Sequence, residues 1–71
     1  MKKVTTATGK NVFVNLNGLR TANAFQAKNQ NQDFWIALNY GAKTDKGQTE
    51  NELVGPFQTM EAAETIIETL M

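Results

Sequence analysis

Seventy-one residues make one small domain, and the chain has no cysteine and no histidine. A disulfide framework, a thiolate metal site and imidazole chemistry are therefore excluded, and no serine is present to act as a nucleophile. Seven cations balance seven acids, but unevenly: Lys2, Lys3, Lys10, Arg20 and Lys28 precede residue 33 with no acid among them, whereas the stretch from Asp33 onward has seven acids and two lysines. This asymmetry is expected to come from an acidic helix folding against a basic sheet, with a basic binding surface as the alternative.

A domain this size buries only about 60% of the surface of its unfolded chain. Dimerisation is the remaining common way to add buried area. Met1–Thr6 carries two lysines but no apolar region after them, which is not the pattern of a signal peptide. No apolar run approaches a membrane span, so a cytoplasmic protein without membrane contact is expected.

In chain order, Lys3–Thr8 has the Thr and Val content of a strand. Thr8-Gly9-Lys10 shares its last residues with a phosphate-binding loop. Val4 stands where that loop needs its first glycine, and the turn leads to a strand, so a nucleotide site is not expected. In residues 11–16, Val12, Val14 and Leu16 alternate with Asn11, Phe13 and Asn15, the period of a half-buried strand. Asn17-Gly18 follows, between Leu16 and Leu19, and predicts a type I′ hairpin turn.

Residues 19–32 read as an extended second arm, with Leu19, Thr21, Asn23 and Phe25 on one face; a helix is the alternative. Asn29–Gln32 reads as a loop tip. Asp33–Tyr40 is the most apolar strand pattern, with Phe34, Ile36, Leu38 and Tyr40 on one parity and Trp35, Ala37 and Asn39 on the other. Gly41–Asn51 is expected to be an exposed loop, and its Asp45, Glu50 and Glu52 lack the alternate spacing of a calcium loop. Leu53-Val54 predicts a short edge strand, and Gly55-Pro56 a turn.

Thr59 predicts an N-cap, with Glu61 near the positive end of the helix dipole. Ala63, Ile66, Ile67 and Leu70 then recur at helical spacing and make one apolar stripe. Glu61, Glu64 and Glu68 lie mainly off it. A solvated row of carboxylates gives no contrast of environments for acid–base work, so no enzyme activity, no metal and no cofactor are expected.

The assembly that these patterns predict is α+β: an antiparallel meander of three to four strands with one C-terminal helix packed on one face. The covered face carries Val4, Val12, Val14, Leu16, Phe34, Ile36 and Leu38. The open face would hold Phe13 and Trp35 with Lys3, Asn15, Asn39, Arg20 and Lys28. Such a face suits a protein partner or a second copy, and the expected function is a non-enzymatic interaction module. The same aromatics and cations could stack the bases of a single-stranded nucleic acid, which is the alternative. The plainer option is that Trp35 belongs to a second small core. Small size, abundant Asn, Gln and Thr and missing catalytic chemistry are the expected profile of a phage or mobile-element accessory protein.

Overall fold

Gly9 adopts φ +83° in the first turn, where the Gly9 N–H donates to Thr6 O at 3.0 Å and the Thr6 N–H to Lys10 O at 2.9 Å. This turn closes an antiparallel hairpin of β1 (Lys2–Thr5) and β2 (Asn11–Val14), with Val4 opposite Val12 and Lys3 opposite Phe13. The computed structural model describes residues 1–28, 32–43 and 49–71. Among these, β3 (Leu19–Gln26), β4 (Phe34–Lys43) and β5 (Thr49–Phe57) form a second antiparallel sheet in the order β3-β4-β5, and α1 (Met60–Leu70) packs against all three strands.

The protein is α+β, with antiparallel sheet strands and one C-terminal helix on them. The meander of three strands carries the helix, while the hairpin forms a sheet of its own. The extended reading of residues 19–26 holds. Val4 and Val14 from the hairpin meet Ile36, Leu38, Val54, Phe57, Ala63 and Leu70 in one buried cluster. Burying a side chain the size of Ile36 or Leu38 stabilises the fold by about 1.5–3 kcal/mol. Val12, Phe34, Ile66 and Ile67 pack at its margin, half-buried. Leu16 does not join the covered face. It stands exposed beyond the end of β2, where the alternation stops with the strand.

The turn at Asn17-Gly18 also differs from expectation. Leu19 N–H donates to Leu16 O at 3.2 Å, but only Gly18 has positive φ, whereas a type I′ turn needs it at both central residues. The turn carries the chain from one sheet to the other, because β2 already has β1 as its partner.

β5 is much longer than Leu53-Val54, and β4 and β5 both enter the stretch expected as a loop. Its polar residues pair through backbone groups, which need no apolar side chains. Residues 44–48, including Asp45 and Gly47 of the discounted calcium pattern, lie outside the described residues, as do residues 29–31 of the expected loop tip.

Gly55-Pro56 lies inside β5 rather than in a turn after it. Phe34 pairs with Phe57 and Ile36 with Val54, so two residues, Gly55 and Pro56, stand opposite Trp35 alone. This bulge accommodates a proline that cannot donate to the ladder. It also resets parity: Val54 and Phe57 are three apart, yet both are buried. Thr59 then caps α1, its Oγ1 accepting from Ala62 N–H at 3.0 Å.

Candidate functional site

The outer face of the meander is set by the register of its strands. Trp35, Ala37 and Asn39 alternate with the buried Ile36 and Leu38, so they point away from the core. Phe25 pairs with Trp35, Asn23 with Ala37 and Thr21 with Asn39. On the other side, Leu53 pairs with Ala37 and Asn51 with Asn39. The face is thus ordered in three cross-strand ranks: aromatic at Phe25–Trp35, mixed at Asn23–Ala37–Leu53, and polar at Thr21–Asn39–Asn51.

Phe25, Ala27, Trp35 and Leu53 line a shallow, almost wholly apolar depression of about 220 Å³. Leu53 is 58% exposed and Phe25 38% exposed. Trp35 is half-buried because its indole leans over Gly55: a Cβ on Gly55 would stand 2.7 Å from Trp35 Cδ2. At the other end, the guanidinium of Arg20 lies over Gly41. Arg20 falls at an irregularity of the β3–β4 register between Leu19 and Thr21. Lys28 is exposed just beyond β3.

Of the residues expected on one open face, the structure brings together Trp35, Asn39 and Arg20, with Lys28 at the rim. Phe13 and Lys3 pair with each other on the outward side of the hairpin, in the other sheet, where Phe13 is 60% exposed. Asn15 is taken up by local structure: its Oδ1 accepts from Asn17 N–H at 3.0 Å, and its carbonyl accepts from the Tyr40 hydroxyl at 2.9 Å. Phe25 and Leu53 were missing from the expected site. Strict alternation groups Phe25 with Leu19, which packs against the core; the irregularity between Leu19 and Thr21 reverses that parity and turns Thr21, Asn23 and Phe25 outward, so alternation alone does not find Phe25. Leu53 needed its register against Ala37.

A second, larger cleft of about 590 Å³ opens between the end of β1, the end of β5 and the start of α1, with Thr6, Phe57, Thr59, Thr65 and Ile66 among its walls. Its threonine hydroxyls are already engaged. Thr6 pairs with Thr8 at 2.9 Å, Thr59 caps the helix, and Thr65 donates to Glu61 O at 2.9 Å. It offers less that is specific than the outer face.

The cations Lys2, Lys3, Lys10, Arg20 and Lys28 are all exposed, and Glu61, Glu64 and Glu68 face water rather than the sheet. The helix therefore meets the strands through its apolar stripe, not through its carboxylates. Among the described residues, no group of three His, Cys, Asp or Glu side chains could hold a metal, and no helix is long and apolar enough to cross a membrane. No protein-family model, curated protein or solved structure matches the chain.

Proposed function

We propose that this protein is a small, non-enzymatic, cytoplasmic interaction module that binds a protein through the outer face of the β3–β4–β5 meander. The observation that carries this reading is the apolar depression between Phe25, Ala27, Trp35 and Leu53 on a sheet face that neither the helix nor the hairpin covers. Aromatic side chains held in place by their neighbours are effective anchors, because little conformational freedom is lost on binding. Here Gly55 lets the indole lie close to the backbone.

The balance of charge favours a protein over a nucleic acid. Among the residues whose side chains are described, Arg20 and Lys28 are the cations at this face, while Lys2, Lys3 and Lys10 belong to the hairpin. Two cations at opposite ends follow a phosphate backbone poorly.

Trp35 is the sole tryptophan, so its emission reports this face directly. At high dilution its indole should be quenched by acrylamide and unaffected by a mixed single-stranded oligonucleotide. Salt-sensitive quenching by the oligonucleotide would transfer the face to nucleic-acid binding, since phosphate contacts weaken steeply as salt rises. An emission that is blue-shifted and shielded from acrylamide at high dilution would put Trp35 in a core and remove the site.

A further inference from the structure

We infer that the occupant of the outer face is a second copy of the chain, related by a two-fold axis that runs across the strands through the Asn23–Ala37–Leu53 rank. This rests on the proposed docking role of that face and names its partner.

The inference comes from the spacing of charge along β4. Ala27 N–H donates to Asp33 O at 2.8 Å, which extends the β3–β4 ladder by one pair. Ala27 lines the outer depression, so its neighbour Asp33 has the outward parity, like Trp35. Asp33 and Gly41 each lie four residues from Ala37, roughly 13 Å in either direction along the strand. The guanidinium over Gly41 is that of Arg20. On β4 itself the Asp33 carboxylate at one end and the Arg20 guanidinium over Gly41 at the other lie at equal distances from Ala37, with Lys28 exposed at the rim beyond β3 on the Asp33 end.

With their strands aligned, two such faces can stack by a two-fold axis lying between them in either of two directions. If the axis runs along β4, Arg20 faces Arg20 of the second copy and Asp33 faces Asp33, so like charges meet at both ends. If the axis runs across the strands, each strand lies over its own copy in the opposite sense. Arg20 then meets Asp33 at both ends, and opposite charges are paired twice. The middle rank meets itself. Ala37 on Ala37 allows close approach, and the exposed Leu53 gains an apolar neighbour. Trp35 comes over Asn39, where a ring with an N–H can use an amide. Aligned sheets of this kind stack at about 30° to each other, roughly 10 Å apart.

The footprint also sets the strength. From Asp33 to Gly41 and across three strands, the face measures roughly 26 by 14 Å. That is below the ~800 Å² per partner of a standard stable interface. A weak dimer in exchange with monomer is expected.

The absence of native cysteine allows a clean test. Sedimentation of the full chain should show a concentration-dependent monomer–dimer equilibrium. Under oxidising conditions at high concentration, Asn23→Cys should form a disulfide-linked dimer, whereas Asn39→Cys and the hairpin control Thr5→Cys should not. Arg20→Asp should weaken dimerisation by about tenfold, because two exposed attractions become repulsions, and Arg20→Asp with Asp33→Arg should restore it. Thermal melts confirm that each variant is folded. Cross-linking of Asn39→Cys but not Asn23→Cys would overturn the axis, as would failure of the charge swap to rescue. A monomer at every concentration, with Trp35 open to acrylamide, would overturn the second copy and leave the docking face standing. A Trp35 shielded at high dilution would instead remove the docking face itself.

Discussion

The indole of Trp35 rests against the bare Cα of Gly55, with a hypothetical Cβ there only 2.7 Å from Cδ2 and 2.8 Å from Cε3. The same Cβ would also lie 3.2 Å from the Phe34 carbonyl oxygen, which as backbone has little room to yield. Gly55→Ala is therefore expected to cost about 1–3 kcal/mol, in the range of other overpacking changes. It should also push the indole off the face, visible as a changed Trp35 emission. An alanine variant with unchanged stability and emission would show that the indole does not lie there.

The helix should be held by a few side chains, to unequal degrees. Leu70 is 7% exposed, so Leu70→Ala should cost about 2–5 kcal/mol. Such a loss is a large share of what so small a domain has. Ile66 and Ile67 are half-buried at the core margin, so Ile66→Ala should cost less than Leu70→Ala. Glu64→Ala and Glu68→Ala, on the exposed side, should be nearly neutral. Urea melts rank the four; an Ile66 effect larger than that of Leu70 would mean the helix is rotated from this placement.

Thr59 supplies the start signal of that helix. Its φ of −136° and ψ of 156° are extended, and its hydroxyl satisfies the Ala62 N–H. Thr59→Ala should cost about 0.5–2 kcal/mol and Thr59→Ser much less, because serine keeps the acceptor. Equal losses for the two variants, measured by thermal melting, would assign the effect to the methyl group instead of the cap.

Features encoded locally were legible in the sequence, and pairings were not. The Thr59 cap and the stripe of Ala63, Ile66, Ile67 and Leu70 both depend on neighbours within two turns, and both are found in α1. The alternation around Ile36 and Leu38 marked the buried side of β4 correctly. Alternation says which way a side chain points, however, and not which strand lies beside it. Asn17-Gly18 is a turn, but nothing within those residues reveals that β2 is already paired with β1. That division separates Phe13 and Lys3 from Trp35. The length of β5 was hidden for a different reason: its first residues are polar and are held by the backbone ladder to β4. Leu53 was lost from the expected site with it, although it is the most exposed apolar side chain of the depression.

Tyr40 joins the hairpin to the meander, and its hydroxyl gives that junction a pH dependence. It donates to Asn15 O at 2.9 Å and lies 3.4 Å from Glu52 Oε2. Partial burial, then the charge of Glu52 and its hydrogen bond, raise the phenol above the usual 10.0. The unfolded chain, with its phenol near 10.0, therefore ionises first as pH rises. Above that point it binds fewer protons than the folded chain, so stability falls with pH. The contribution of Tyr40 is whole below pH 10.0 and is lost as pH climbs through the raised folded value. Near neutral pH, Tyr40→Phe should cost about 0.5–1.5 kcal/mol, the net contribution of one hydrogen bond. Urea midpoints of the two proteins should converge above pH 10.0. Tyr40 is the only tyrosine, so its phenolate absorbance can be followed in the same samples. A gap between the two proteins that stays constant across this range would mean that the hydroxyl is not held between Asn15 and Glu52.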